Sequence, residues 1–126
     1  MYEVYVAASF EAAHRLRGEH FGPAARTHGH TYRLEAVVRG ENLAEDGTLF
    51  DIGVLRETVD GVAASLHYRD LDEVPGLAGK NTTAEVVAGF CWDGISPSLR
   101  GRGLASLAVR VWESPQVYAA REGALD

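Results

Sequence analysis

Two long runs in which apolar and polar residues alternate constrain the fold of this chain more than any other feature. The first run extends from Tyr2 to His14 and the second from His28 to Val38, and each carries histidine at one end. Alternation with a period of two is typical of a strand that buries one face and exposes the other. We therefore expect two paired antiparallel strands whose apolar faces carry the histidines.

The histidines at the ends of these runs predict a metal site. Side chains two residues apart in a strand point to the same side, so the imidazoles of His28 and His30 are expected to lie together. His14 has the same parity as the apolar residues of the first run. Three neutral imidazoles with an open fourth position are the ligand set of a catalytic zinc site. Zinc is the expected cofactor, although such a set also accepts nickel, copper or iron.

The rest of the chain predicts two helices and then two more strands. Asp51 is expected to cap a helix, because apolar residues from Ile52 to Leu66 follow helical spacing. The segment Thr82–Glu85 (TTAE) matches a capping box ahead of a second helix that ends near Ile95. A loop is expected over 15–27, and strands are expected over 104–113 and 116–121. The order ββααββ predicts an α+β fold, with two helices on one face of a four-stranded antiparallel sheet.

Composition and charge narrow the class of protein. The 126 residues are 46% apolar, which is enough for a hydrophobic core, and we expect one domain over residues 1–126. The formal charge of −6 argues against nucleic acid as a partner. No apolar run approaches the ~20 residues that cross a membrane, so no membrane partner is expected.

The single cysteine and the first residues bear on the cellular compartment. Cys91 has no partner for an internal disulfide, which suits a reducing cytoplasm, and its apolar surroundings favour a core residue over a reactive thiol. The first residues lack the basic start and apolar run of a signal peptide. We therefore expect a cytoplasmic protein.

Glu113 is a candidate ligand-binding residue. It extends an apolar strand face and is followed by Ser114-Pro115, which is expected to end the strand. A buried carboxylate needs a partner, because burial without one costs several kcal/mol. Glu113 is therefore either a solvated strand end or an anchor for adjacent N–H donors, such as the guanidine-like edge of a pterin or pyrimidine.

Two further histidines lie outside the expected metal site. His67 and Tyr68 follow the first predicted helix within Leu66–Asp70, a segment dense in titratable groups. This segment is either a polar helix end or part of a catalytic site. His20 lies in the long loop before His28 and is expected to be solvated, although the loop could bring it near the metal.

Several motifs together resemble one known family. Phe10–Leu16 (FEAAHRL) followed by His28–Tyr32 (HGHTY) is similar to the zinc signature of the 6-pyruvoyl-tetrahydropterin synthase and 6-carboxytetrahydropterin synthase family. The resemblance runs almost from end to end of the chain. It continues through 49–52 (LFDI), 71–77 (LDEVPGL), 83–85 (TAE) and 111–115 (VWESP).

This resemblance implies a tunnelling fold and a zinc-dependent lyase. Family members form rings of subunits, often hexamers of two stacked trimers, with active sites at subunit interfaces. The resemblance implies that the zinc holds the vicinal hydroxyls of a dihydropterin side chain and acidifies the neighbouring carbon-bound protons. It also implies roles for individual residues: zinc ligation by His14, His28 and His30, a grip on the pterin ring by Glu113, and a pocket lined by Thr82 and Thr83.

The chain departs from the family at the residues that move protons. The family's cysteine, four residues before the first histidine of the H-x-H pair, corresponds to Ala24, and its Asp-His pair aligns with His67-Tyr68. Alanine has no acid–base chemistry, and each such group is worth about 10²–10⁴-fold in rate. Two hypotheses stay open: His67 acts as base with Tyr68 as hydrogen-bond donor or acid, or the protein only binds zinc and a heterocycle.

The resemblance favours a lyase that acts on a dihydropterin or a related pyrimidine. Within the family, the 6-carboxytetrahydropterin synthase (queuosine-type) branch is the expected activity. A diverged lyase or isomerase with another substrate is the alternative enzyme, and a non-catalytic binding protein is the alternative outside catalysis.

Overall fold

Both long strands predicted from the sequence are present. The structure is a computed structural model that describes every residue from Met1 to Asp126. Strands β1 (Tyr2–His14) and β2 (His28–Gly40) pair antiparallel along their whole length. The register joins Tyr2 to Gly40 at one end and His14 to His28 at the other. Most of their buried apolar side chains are even-numbered, as the alternation predicts; the exceptions are Val37, which is buried, and Tyr2, which is exposed.

Both predicted helices are present. Helix α1 (Ile52–Leu66) begins after Asp51, whose carboxylate accepts hydrogen bonds from the N–H groups of Gly53 (2.8 Å) and Val54 (3.3 Å). The predicted cap of α1 is therefore confirmed. Helix α2 (Ala84–Ile95) ends where a 3-10 turn containing Pro97 begins.

The start of α2 differs from the predicted capping box by one residue. The cap is Thr83, whose hydroxyl accepts a hydrogen bond from Val86 N at 3.2 Å. The capping box was wrong because the hydroxyl of Thr82 is already bonded to Asp72 (2.8 Å) and is not free to cap the helix. Glu85 then stands one position too early to complete the motif.

The sheet has five strands and is mixed, so the prediction of four antiparallel strands was wrong. The extra strand, β3 (Arg69–Asp70), is two residues long and pairs parallel with β1. Together with β4 (Ser106–Ser114) and β5 (Val117–Ala124), it gives the order β3-β1-β2-β4-β5. A two-residue strand has no alternation to detect; it forms because the chain leaving α1 runs along the free edge of β1.

The two helices lie on one face of the sheet, as predicted, and the core fills the space between them. Helix α2 is also joined to the sheet by the indole of Trp92, which donates to the carbonyl of Leu107 at 2.8 Å. Cys91 is fully buried, and burial raises the pKa of its thiol to about 12. The prediction of a core cysteine is therefore confirmed. The helices also contribute Leu55, Val59, Ala63, Leu66, Val87, Ala88 and Ile95 to this core.

None of the helices combines the length and the apolar character that a bilayer crossing requires.

Candidate functional site

The register of β1 and β2 brings three imidazoles together at one end of the sheet. His14 ends β1 and pairs with His28, the first residue of β2, while His30 stands two residues further on the same face. The ring centroids lie 4.6 Å (His14–His28), 4.8 Å (His28–His30) and 5.2 Å (His14–His30) apart. One nitrogen from each ring lies within 4.8 Å of the others, so the group could hold a metal ion.

Main-chain carbonyls orient two of the three rings. His14 Nδ1 lies 2.7 Å from the carbonyl of Thr82, and His28 Nδ1 lies 2.7 Å from the carbonyl of Arg26. A carbonyl can only accept a hydrogen bond, so Nδ1 of each neutral ring carries the proton and donates it. Both rings then keep a free lone pair on Nε2, as a metal ligand requires.

The atoms left unpaired in this region test whether a metal suits the site. His14 Nε2, His30 Nε2 and the hydroxyl of Tyr32 are buried and have no hydrogen-bond partner. Leaving such an atom unpaired costs about 1–3 kcal/mol, and native proteins seldom do so without a reason. A divalent cation would satisfy the two nitrogens, so the residues present fit a metal.

The protonation of His30 also favours metal binding. Burial lowers the pKa of His30, and the neighbouring rings of His14 and His28 lower it further. The carboxylate of Glu113 opposes this shift, but the net direction is downward. A lowered pKa keeps the imidazole neutral near pH 7, and only the neutral ring can ligate a metal.

Glu113 lies beside the imidazoles, close to the end of β4. Its Oε2 is 3.1 Å from His30 Nε2, and about a quarter of its side chain is exposed (23%). The lowered pKa keeps His30 neutral near pH 7, so this contact is not an ion pair there, and His30 Nε2 has no hydrogen-bond partner. The carboxylate therefore keeps acceptor capacity at the mouth of the site, and its grip on a pterin stays a prediction.

Tyr32 is a member of this site that the sequence reasoning missed. Its ring stacks on Phe10 (4.8 Å between centroids) and packs against His14 and His30 at 6.0 and 5.2 Å. Burial raises the pKa of its hydroxyl, and the charge of Glu113 adds to that effect, so the group stays a phenol and a hydrogen-bond donor. The available signal was its place in the alternation, directly after His30.

Thr82 and Thr83 lie where the chain enters α2. Thr82 is fully buried, and its hydroxyl donates to Asp72, a residue that the sequence reasoning also missed. Thr83 is half-buried and caps the helix. The predicted role of both in lining a pterin pocket stays a prediction, and the structure adds that the carbonyl of Thr82 contacts His14.

The loop that carries Ala24 folds back toward the imidazoles. Leu16 N, two residues after His14, donates to the carbonyl of Ala24 at 2.9 Å. The loop includes a 3-10 segment (Glu19–Ala25), in which His20 is exposed and packs on Phe21. His20 is not part of the imidazole group.

His67 and Tyr68 lie at the edge of β1 rather than among the imidazoles. Glu11 N donates to His67 Nδ1 at 3.1 Å, and Tyr68 N donates to the carbonyl of Glu11 at 2.6 Å. Glu11 is three residues from His14, which is about 10 Å along a strand, and its side chain points to the opposite face. Within this chain the structure therefore does not bring His67 and Tyr68 into the imidazole group.

Tyr68 nevertheless opens onto a cavity that reaches the site. Its side chain is 78% exposed, and its φ of 57° is a strained value for a residue other than glycine. A cavity of about 520 Å³ lies beside it and is also lined by Glu11, His30 and Asp70. Of the imidazole group, only His30 lines this cavity, and His67 does not line it.

Known proteins share both the sequence and the fold of this chain. The profile of the family described as 6-pyruvoyl tetrahydropterin synthase matches residues 3–124. A 6-carboxy-5,6,7,8-tetrahydropterin synthase from Bacillus subtilis is 30% identical over 121 residues, which cover 91% of this chain and 83% of that protein. A dihydroneopterin monophosphate aldolase from Pyrococcus furiosus is 36% identical over 94 residues, 75% of each chain.

A solved structure agrees with this family assignment at the level of the fold. The 6-pyruvoyl tetrahydropterin synthase of Caenorhabditis elegans superposes with a TM-score of 0.83 at 24% identity, over 98% of this chain and 96% of that one. The predicted tunnelling fold is thereby confirmed. The family profile spans nearly the whole sequence, and this chain belongs to the 6-pyruvoyl tetrahydropterin synthase family.

Proposed function

We propose that this protein is a zinc-dependent lyase that acts on a dihydropterin with a hydroxylated side chain. The observation that carries the proposal is the group of three imidazoles whose ligand nitrogens lie within 4.8 Å of one another. Two of these rings have their Nδ1 atoms held by carbonyls, which supports a site built for one ion. The names of the relatives, a tetrahydropterin synthase and a dihydroneopterin monophosphate aldolase, support the substrate class.

Each residue of the site has a chemical part in this proposal. A bound zinc would act as a Lewis acid toward side-chain oxygens and lower the energy of charge that develops beside them. His14, His28 and His30 would hold it. Glu113 accepts two N–H groups of the pterin ring in parallel, which fixes the orientation of the ring. The Tyr32 hydroxyl, which has no partner within the chain, would donate a hydrogen bond to a bound ligand.

Proton transfer is the step that this chain must perform differently from family members that carry a cysteine at the position of Ala24. Position 24 is alanine, and Cys91 is buried in the core with a raised pKa, so neither supplies a thiolate. We propose that His67 is the base and Tyr68 the hydrogen-bond donor or acid. Support comes from the cavity that Tyr68 shares with His30. In the family active sites lie between subunits, so a neighbouring copy would complete the arrangement.

The proposal also covers the cellular compartment, the oligomeric state and the type of reaction. We propose a cytoplasmic homohexamer of two trimers and assign the reaction to the 6-carboxytetrahydropterin synthase type. The aldolase relative adds a second reaction of the same class, the cleavage of a carbon–carbon bond in a dihydroneopterin side chain.

A second candidate function is binding without catalysis. It is favoured by two observations: position 24 is alanine, and His67 is not part of the imidazole group within the chain. In that case the zinc and Glu113 hold a pterin or purine-type ligand, and no product forms.

A product assay separates these functions. Zinc-loaded protein is incubated with dihydroneopterin triphosphate, dihydroneopterin monophosphate and dihydroneopterin, and new masses are sought by mass spectrometry. The lyase predicts a pterin whose side chain is shortened, or one from which triphosphate has been eliminated, and neither product forms when His28→Ala replaces the wild type. Saturable binding with no new mass from any compound would contradict the lyase and support the binding protein.

The role of His67 and Tyr68 is tested in the same assay. His67→Ala and Tyr68→Phe are each expected to lower turnover by about 10²–10⁴-fold, the usual range for general acid–base groups. Unchanged turnover in both variants would exclude these residues from the proton-transfer step.

A further inference from the structure

A closed chain of contacts surrounds the imidazole of His14. His14 Nδ1 donates to the carbonyl of Thr82 at 2.7 Å, and the hydroxyl of Thr82 donates to Asp72 Oδ1 at 2.8 Å. The other oxygen of Asp72 accepts from Arg15 N at 3.0 Å. Because Arg15 is bonded to His14, the contacts return to the residue from which they started. Three separate parts of the chain thus meet at one carboxylate.

We propose that Asp72 is a positioning residue for metal binding, acting on His14 through Thr82. This inference rests on the proposed function, because it concerns the metal site itself. Asp72 does not bond to an imidazole; it holds Thr82, whose carbonyl (2.7 Å) and hydroxyl (3.4 Å) both lie beside His14 Nδ1. Partners of this kind set the tautomer and the direction of a metal-binding histidine.

The position of the Thr82 carbonyl depends on the side chain of the same residue. Thr82 precedes the cap of α2 and lies 68 positions from His14, so no regular element aligns the two residues. The hydroxyl of Thr82 is the group that ties this peptide to Asp72. If that bond is lost, the peptide is held only through its neighbours, Asn81, which accepts from Arg17 N, and Thr83, which caps α2. We expect the acceptor that selects the Nδ1–H tautomer of His14 to be less well fixed.

The main chain of Asp72 is itself held by Asp70, two residues earlier. Its N–H donates to Asp70 Oδ1 at 2.9 Å, and Asp70 belongs to β3, which pairs with β1. This bond fixes the main chain at Asp72 and links it to β3, the neighbour of the strand that ends in His14. This arrangement connects the unpredicted strand β3 to the residue that holds Thr82.

The alternative is that Asp72 only joins the start of α2 to the neighbouring turn. A purely structural tie would affect the stability of the protein and leave the metal affinity of the folded protein unchanged. A positioning residue would weaken metal binding in a protein that is still folded. Metal affinity is therefore the measurement that separates the two roles.

The experiment compares zinc affinity in the wild type, Thr82→Val and Asp72→Ala, by competition with a chromogenic chelator and without any pterin. Thr82→Val keeps the carbonyl and the side-chain shape and removes only the hydroxyl. The chain offers a matched control in the turn after β2, where the hydroxyl of Thr48 donates to Asp46 Oδ1 at 2.7 Å. Thr48→Val and Asp46→Ala break the same kind of bond far from the imidazoles.

We expect zinc binding about 10–100-fold weaker in Thr82→Val and in Asp72→Ala, and unchanged in the two controls. The double variant Thr82→Val/Asp72→Ala should be no weaker than the worse single variant, because both changes break one pathway. Cobalt-loaded protein provides a second measurement, since a shifted visible absorption band reports a changed ligand geometry.

The outcomes are separable. Zinc affinity within twofold of the wild type in folded Thr82→Val would overturn the role of Asp72 and leave the metal site intact. Wild-type protein that binds no zinc would overturn the metal site and this inference together. If Asp72→Ala does not fold, Thr82→Val alone decides, supported by nuclear magnetic resonance of the His14 Nδ1 proton, which should exchange faster in the variant.

Discussion

The helix-covered and helix-free faces of the sheet both bury polar side chains, and they differ in how those side chains are paired. On the covered face, His14 Nε2, His30 Nε2 and the Tyr32 hydroxyl have no partner within the chain. On the free face, the side chain of Glu35 is only 10% exposed. It accepts hydrogen bonds from Trp112 (2.5 Å), Tyr5 (2.8 Å) and Arg33 (3.1 Å).

The difference indicates which polar cluster serves a ligand. Burial alone raises the pKa of Glu35, but the hydrogen bonds from Trp112, Tyr5 and Arg33 outweigh it, and the net pKa is lowered. A carboxylate satisfied in this way stabilises the fold and has little capacity left for another molecule. The imidazoles on the other face are held in position but left incomplete. We infer that the cluster around Glu35 is structural and that the group of imidazoles is a binding site.

The strongest test of this contrast removes one imidazole. His28→Ala is expected to abolish zinc binding, from about one ion per chain to none, because two imidazoles leave too few ligands for a catalytic site. Elemental analysis after dialysis measures the stoichiometry. The fold should persist, since His28 is only partly buried. Retention of zinc at full stoichiometry would show that the ion is held elsewhere.

The next test asks whether the imidazole face is ready for catalysis. Ala24→Cys restores the thiol that the family resemblance places there, in a loop anchored beside His14. Turnover of a dihydropterin substrate is expected to rise by about 10²–10⁴-fold, the contribution of one acid–base group. Ala25→Cys, one residue along the same loop, is the matched control. No gain in Ala24→Cys would mean that proton transfer in this chain does not use a thiol at position 24, in agreement with the proposed role of His67 and Tyr68.

The third test breaks the paired cluster on the free face. Glu35→Ala leaves the donors of Trp112, Tyr5 and Arg33 without their acceptor and should cost about 2–3 kcal/mol in the free energy of unfolding. Zinc affinity should not change. Glu3→Ala is the control, because its ion pair with Arg39 is half exposed and worth about 0–1 kcal/mol. A loss of zinc in Glu35→Ala would contradict the separation of the two faces.

The smallest expected effect is a difference in the pH range over which each face loses stability. The folded pKa of His30 lies below 6.5 and that of Glu35 below 4.5, so in both cases the unfolded chain binds the proton more readily. Stability therefore falls as the pH falls, first below about 6.5 from His30 and then below about 4.5 from Glu35. Urea unfolding of metal-free protein measures both steps.

Variants assign these two steps to their residues. His30→Gln should lose the step near pH 6.5 and keep the lower one, while Glu35→Gln should do the reverse. Stability that increases on acidification through the upper range would mean that the pKa of His30 is raised rather than lowered.

Much of the site was predictable because it lies on two strands that the alternation of apolar and polar residues identifies. The alternation in 2–14 and 28–38 placed His14, His28 and His30 on one face, and the structure brings them together as expected. Tyr32 follows the same alternation, but a buried tyrosine gives no signal that its hydroxyl will lack a partner. Asp72 could not be found, because its contacts with Thr82 and Arg15 join segments that are 10 and 57 positions away.

The sequence by itself determined the α+β class, the two helices, the two long strands and the parity of the histidines, since each depends on local periodicity. Only the tertiary structure decided the fifth strand β3, the shift of the helix cap to Thr83 and the position of His67 and Tyr68 at the edge of β1. These features depend on which distant segments compete for the same hydrogen-bonding groups. That competition is settled when the chain packs, and no local pattern records it.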